Sequence, residues 1–326
     1  MATLGGAKTT ALGTSSTVKW GNARYRVALA LDNTGSMAAS GKMDELKKAA
    51  NQLIEDFASM AKTDGDVYIS IVPFAETVKI GTGFKNANWL KWSGGTDKDS
   101  WEDMNGTCKN LSFPYSLNPS SRNTRVKCES VSGTWQPQTG PSNNWAGCVM
   151  DRDKNYDASN TLPNISVPGT LVWPVNDTAC PVEILGMTPV KSQKQMLLDK
   201  VAAMTPSGAT NQTIGMAWAW MTHTIGAGPY PAAPKEPNYE YKDVIILLTD
   251  GANTRNRWDG NGSNQSAEVD ARQALLCNNI AIGKFSVFAI QVSTAFEPVS
   301  AVTKACATNP DDPTYYSNIT SASQMS

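Results

Sequence analysis

Three short stretches carry oxygen ligands where an apolar run gives way to a turn. In "LDNTGSM" (Leu31 to Met37) the run stops at Asp32, and the hydroxyls of Thr34 and Ser36 follow at two-residue steps. "SGAT" supplies Thr210 just ahead of a helical pattern, and "LLTDG" closes a second apolar run with Asp250. Two carboxylates and three hydroxyls form an oxygen-only set, which suits a hard divalent cation rather than a metal that seeks thiolate or imidazole. Mg²⁺ takes about six oxygens and keeps some of its waters. Mn²⁺ fits the same description, and Ca²⁺ is a further option. With so few charged donors, an ion held here stays electrophilic and has room for a carboxylate brought by a protein partner. Asp32, Thr34, Ser36, Thr210 and Asp250 are therefore the candidate metal ligands, and no residue is assigned a catalytic role.

Such a set needs strands that end on one edge. "YRVALALD" (Tyr25 to Asp32) and "DVIILLTDG" (Asp243 to Gly251) are near-continuous apolar runs, the pattern of strands buried on both faces of a parallel sheet. Met43, Leu46, Ala50, Leu53, Phe57 and Met60 recur at three- and four-residue steps and predict a helix over 41–61. "VYISIVPF" (Val67 to Phe74) reads as a second strand, and "ETVKIG" as an edge strand carrying a Lys. In "TPVKSQKQMLLDKVAAM", Thr188 is expected to cap a helix that begins at Pro189. Helices are predicted at "IGMAWAWMTHTI", 266–280 and 296–307, and strands at "KFSVFAIQV" and "TYYSNI". Strands alternating with helices predict an α/β fold with a doubly wound, mostly parallel, Rossmann-like sheet. Such sheets take ligands beyond the carboxyl ends of their strands.

The domain is expected to span 21–326, after a tail or linker at 1–20. It is interrupted at about 88–183 by an irregular stretch rich in Gly, Pro, Ser and Asn. A long loop without regular structure is unusual in a compact domain unless it is functional or cross-linked. This one holds four of the six cysteines and six of the ten tryptophans: Trp89, Trp92, Trp101, Trp135, Trp145 and Trp173. Most of these rings are expected to form a small core of their own. No CxxC pair occurs, and an even cysteine count fits up to three disulfides in an oxidising compartment. Sequence leaves about 15 connectivities open. Pairing of neighbours would join Cys108 to Cys128, Cys148 to Cys180, and Cys277 to Cys306.

With 28 basic and 29 acidic residues the net charge is −1, so bulk electrostatics gives no reason to expect nucleic acid or an anionic membrane as partner. No apolar run reaches membrane-spanning length, and 1–20 has no apolar stretch of signal-peptide length. A chain excised from a longer, membrane-anchored parent would reconcile that with cysteine usage typical of exported proteins.

The three ligand stretches also resemble a known family. "DNTGS" is similar to the Asp-x-Ser/Thr-x-Ser signature of the von Willebrand factor A domain, "GATNQT" to its threonine loop, and "LLTDGANT" to its second aspartate strand. "VALALDNTGSM", "WAGCVMDRD", "CPVEILGMTPV", "TNQTIGMAWAW" and "ILLTDGANTRNRW" look like the bacterial TadG-like proteins of Tad (Flp) pilus assembly. The resemblance implies a metal-ion-dependent adhesion site that binds Mg²⁺ or Mn²⁺ and captures an acidic residue. The implied function is a non-enzymatic adhesion module outside the cytoplasm, with a pilus or surface component as partner. Members of that family usually carry an N-terminal membrane segment, which is absent here.

Other readings are weighed on the same residues. A structural scaffold with a stabilising ion would leave the insertion as the interaction surface. "DNTGS" also resembles the phosphorylated-aspartate motif of cation-pumping ATPases, but Asn33 stands where that chemistry needs Lys, and Thr254 where it needs a second acid. His223 is the only histidine and is expected to be a helix residue with a local hydrogen bond. "DRDKNYD" (Asp151 to Asp157) has oxygens at alternate positions like a calcium loop. It lacks the glycine at position six, so it is read as a solvated turn neutralised by Arg152 and Lys154. Arg255 and Arg257 are either a grip for an acidic partner or exposed loop charge.

Overall fold

The computed structural model describes residues 2–4, 16–18, 23–94, 100–138, 140–226, 228–294 and 297–320. Within the expected tail, β1 (Ala2–Leu4) and β2 (Ser16–Val18) pair in parallel, and the rest of 1–20 lies outside the described residues.

Along β3 (Ala23–Asp32), Tyr25, Val27, Leu29 and Leu31 alternate with Ala28 and Ala30, and both sets are buried in different core clusters. A strand whose alternate side chains enter two cores must be covered on both faces. On one face lies α1 (Lys42–Met60), with Leu46, Ala50, Ile54 and Phe57 at helical spacing. The chain then enters β4 (Val67–Phe74), parallel to β3 and in register so that Asp32 stands level with Phe74. β5 (Val78–Lys79) turns back antiparallel to the end of β4.

The stretch at 88–183 contains α2 (Trp101–Met104), β6 (Gly106–Lys109), α3 (Arg125–Glu129), β7 (Thr134–Pro137), β8 (Cys148–Met150) and β9 (Trp173–Pro174). β6 and β7 form a separate hairpin. Beyond them come β10 (Leu185–Pro189), α4 (Val190–Ala202), α5 (Gln212–Met221) and β11 (Glu240–Thr249). α6 (Ala267–Ile282), β12 (Ser286–Val292), α7 (Ala301–Cys306) and β13 (Tyr316–Ile319) complete the described chain. The helix expected from 296 starts at Ala301, and 295–296 lie outside the described residues.

The expectation of a doubly wound, mostly parallel sheet is corrected. The sheet has nine strands in the order β13-β12-β11-β3-β4-β5-β8-β9, with β10 also on β4, and it is mixed. β13, β12, β11, β3 and β4 pair in parallel. The pairings of β10 with β4, β4 with β5, β5 with β8, and β8 with β9 are antiparallel. Two stretches explain the difference. The insertion is not irregular throughout, since buried Val149, Met150 and Trp173 add β8 and β9 to the sheet. Thr188 and Pro189 do not start a helix: Thr188 pairs with Ile69 in β10, and Pro189 caps a helix that begins at Val190.

All three neighbour disulfides are formed: Cys108–Cys128, Cys148–Cys180 and Cys277–Cys306. Trp92 meets Trp101 and Trp145 edge-on at 5.0 and 5.3 Å, and all three rings are buried against the main core. The insertion tryptophans thus serve mostly as packing, but not in a small core of their own: Trp89, Trp92, Trp101 and Trp145 join the main core.

Candidate functional site at the strand edge

Parallel pairing of β3 with β11 brings their carboxyl ends together, because Leu31 is level with Leu248. Asp32 therefore lies beside Thr249, whose hydroxyl donates to Asp32 Oδ2 at 2.7 Å. The other carboxylate oxygen, Oδ1, accepts the Thr34 N–H at 2.9 Å and the Thr34 hydroxyl at 2.5 Å. An acid two residues before a hydroxyl makes this local turn by itself. Thr34 Oγ1 and Ser36 Oγ are 3.1 Å apart. Asp32 and Thr34 are buried whereas Ser36 is exposed, so the cluster opens to solvent on the Ser36 side.

Thr210 reaches this cluster through its loop. Gly208 accepts the Gly35 N–H at 2.9 Å, and Ser207 donates its N–H to Asn33 O at 2.8 Å. Gly208 holds φ +86°, a left-handed conformation that favours glycine in so tight a turn. The Thr210 N–H donates to Thr254 Oγ1 at 2.9 Å and its carbonyl accepts the Thr254 N–H at 2.9 Å, which ties it to the loop after β11. α5 follows at once, and it packs so closely that a Cβ on Gly215 would fall 2.4 Å from Phe74 Cδ1. The structure therefore gathers the loops bearing all five expected ligands on one edge.

Asp250 sits just past β11 and is not free. Lys42 Nζ donates to its Oδ2 at 2.9 Å and also pairs with Glu297. Lys42 is buried, although it opens α1, where the helix dipole disfavours a cation. That misplaced charge is the one sequence signal for this ion pair, and Glu297 carries none. Among the described residues no lysine pairs with Asp32. Burial and then the negative charge of Asp250 push its carboxyl up to about 7, against the pull of the Thr34 and Thr249 hydrogen bonds. Two carboxylates with hydroxyls around them are the hard oxygen donors that a divalent ion takes, with Lys42 already on one of them.

The insertion frames this edge. Asn211, next to Thr210, caps α5 by accepting the Ile214 N–H and donates to both oxygens of Asp151, at 3.1 and 2.9 Å. Arg257 donates its N–H to Asp151 Oδ2 at 3.1 Å, pairs with Asp153 at 2.9 Å, and lies over the Trp173 ring at 4.5 Å. "DRDKNYD" is thus no solvated turn: Asp151, Arg152 and Asp157 are buried. Its counter-charges come from Arg257 and Arg272, the latter 2.5 Å from Asp157, while Arg152 turns to the carbonyls of Ser159 and Thr161. Burial, then Asp157, pushes Asp151 up to about 6. Arg255 pairs with Glu76 at 3.2 Å, so neither arginine is loose loop charge. Beside them lies a cleft of ≈ 230 Å³, lined among others by Glu76, Thr77, Met150, Asp177 and Arg255. Gln212 adds a network missed in the sequence. Its N–H donates to Asn253 Oδ1 at 2.8 Å, and its Oε1 accepts from Gln273 and Thr303 at 2.9 Å each. His223 lies just past α5 with its ring nitrogens 3.1 and 3.2 Å from the carbonyls of Ala219 and Arg26.

No family model and no curated protein matches the chain. Among solved structures it is similar to the pilus adhesin SpaC of Lactobacillus rhamnosus GG in its open conformation. That likeness has a TM-score of 0.44 and 11% identity, over 93% of this chain and 28% of that one. It is also similar to the PilB minor pilin of Streptococcus sanguinis, with a TM-score of 0.40 and 9% identity over 95% and 61% of the two chains. For the adhesive tip pilin GBS104 of Group B Streptococcus agalactiae the values are 0.39 and 10%, over 93% and 96%. The chain spans less than a third of the SpaC structure. Likenesses this weak carry no argument about function. The von Willebrand A and TadG-like resemblance is corrected: no family model supports it, and the solved structures similar to the chain include pilus adhesins, a minor pilin and a matrix protein of the mussel byssus. Among the described residues no three His, Cys, Asp or Glu side chains gather as a metal cluster, and the expected ligand set has two acids.

Proposed function

We propose that this chain is a non-enzymatic protein-binding module acting outside the reducing cytoplasm. Its strand edge, formed by Asp32, Thr34, Ser36, Thr210 and Asp250, holds a hard divalent cation, and an acidic residue of a protein partner completes the ion's shell. The observation that carries this reading is the buried Asp32 carboxylate, which feels the charge of Asp250 and is held by hydroxyl donors on a side that opens to solvent at Ser36. A divalent ion relieves the repulsion between the two acids, and hydroxyl ligands leave part of its charge uncompensated. The adjoining cleft gives room for residues that flank the partner's acid. Three disulfides support a place outside the cytoplasm.

Paramagnetic resonance of Mn²⁺ tests this directly. Adding the EDTA-stripped protein should quench the signal of free Mn²⁺, and Asp32→Ala should abolish the quenching. An unquenched signal with the wild-type protein overturns the reading.

A second reading rests on the Lys42–Asp250 ion pair, which already supplies the edge with a cation. On that reading the edge is structural and the insertion is the working surface. A functional ion changes partner binding, whereas a structural one changes stability alone.

A further inference from the structure

Among the described residues, four of the eleven large exposed apolar side chains share one small lobe. Phe113 is 79% exposed, Leu117 74% and Val126 61%, and Tyr115 lies among them. Phe113, Tyr115 and Leu117 alternate along one segment, and every residue from 112 to 121 is exposed. The lobe is the β6–β7 hairpin with α3, paired with no strand of the main sheet, and the Cys108–Cys128 disulfide closes it. Its interior is small: the disulfide, Trp135 and Leu111. These rings are therefore not waiting to be buried by their own domain, and a soluble surface rarely keeps such a patch without use.

Charge is segregated in the same lobe. Residues 106–137 contain Lys109, Arg122, Arg125 and Lys127 against one acid, Glu129, a net of +3. The whole chain is −1, so the remainder carries −4. Arg125 pairs with Asp103 at the root of the lobe, at 2.7 Å. Lys109 and Lys127 are exposed, and Arg122 lies over the Tyr115 ring at 4.9 Å, beside the apolar segment. Exposed aromatic and aliphatic tips with a basic flank match the interface of an anionic bilayer: apolar tips enter the headgroup layer while lysines and arginines meet lipid phosphates.

We propose that residues 109–127 form a peripheral docking surface for an anionic phospholipid membrane, with Phe113 and Leu117 entering the headgroup layer and Lys109, Arg122 and Lys127 facing the phosphates. The balanced overall charge hides this, because the acids lie elsewhere in the chain. The surface is separate from the strand edge and works without its ion.

Sedimentation of the full chain with vesicles tests it, using phosphatidylglycerol and phosphatidylcholine at 3:7 beside pure phosphatidylcholine as control. The protein should sediment with the anionic vesicles at low salt and much less at high salt. Phe113→Ser with Leu117→Ser should lower partitioning by about tenfold or more, because each removes an inserted apolar group. Lys127→Glu should lower it about fivefold or more. These side chains are exposed, so circular dichroism should be unchanged. Absence of sedimentation with anionic vesicles at low salt overturns the proposal, as does binding that the Phe113→Ser, Leu117→Ser protein retains. A wild-type dimer in gel filtration that the same double variant converts to monomer also overturns it, by assigning the patch to a second copy of the chain.

Discussion

Lys42 Nζ donates to Asp250 Oδ2 at 2.9 Å within the buried edge of the sheet, from the first turn of α1 to the end of β11. The ammonium occupies the electrostatic role that a divalent ion would take beside Asp250, so on the proposed reading the two would compete for one carboxylate. Lys42→Met should tighten Mn²⁺ binding by about tenfold, a gain of about 1.4 kcal/mol. The same variant should destabilise the cation-free protein by roughly 3–5 kcal/mol, since it leaves Asp250 buried without that counter-charge. Calorimetric titration and thermal melts read both, and weaker Mn²⁺ binding in Lys42→Met would count against competition.

The Asp32 carboxyl is raised to about 7, by burial first and by Asp250 second. In the folded, cation-free protein it keeps a proton that the unfolded chain gives up near 4, so its contribution to stability falls as pH rises from about 4 to 7. Asp32→Asn removes that dependence. The melting temperature of Asp32→Asn minus that of wild type should therefore climb between pH 4 and 8, in EDTA. Taking the difference cancels the buried His223, whose ordinary titration is lowered by burial and which acts in both proteins alike. A difference independent of pH would show that Asp32 is not held protonated.

Gly215 lets α5 lie against Phe74, because a Cβ there would approach its ring to 2.4 Å. Gly215→Ala should cost about 1–3 kcal/mol through overpacking. It should also weaken cation binding, because α5 carries the Thr210 loop at its start. Thermal denaturation with Mn²⁺ titration separates the two effects: lost stability with unchanged affinity would detach the loop from the site.

The disulfides should differ in reach. Cys277–Cys306 joins α6 to α7 across 29 residues, and replacing both by Ser should lower global stability by about 3 kcal/mol. Cys108–Cys128 closes the outlying hairpin, so its removal should speed hydrogen exchange in 106–137 and leave β3 and β11 unchanged. Equal loosening of the whole sheet would refute the separation.

How much of this was legible in the sequence depends on what each residue needs to be understood. The runs that became β3, β4, β11 and β12 could be read because burial on both faces leaves a continuous apolar signature. β3 ends at Asp32 and Asp250 follows β11 directly, so the edge could be placed. β8, β9 and β10 could not, because strands of two to five residues that contain Cys, Gly and Pro carry no periodicity. Antiparallel pairing in half of the sheet therefore went unforeseen. Asp151 and Arg257 were misjudged for a different reason. They are 106 residues apart, and only the fold brings the Arg257 main-chain N–H onto the Asp151 carboxylate and its guanidinium onto the Asp151 carbonyl. The sequence likeness to a known adhesion domain carried further expectations about family, and the comparisons did not uphold them.

The central claim is that the strand edge binds a divalent ion through Asp32. Calorimetric titration of the EDTA-stripped full chain with MgCl₂ and MnCl₂, beside Asp32→Ala, tests it most directly. The account predicts saturable heat in the wild type that vanishes in the variant, with the circular dichroism of the two proteins alike. Equal silence in both, or equal heat in both, would contradict it.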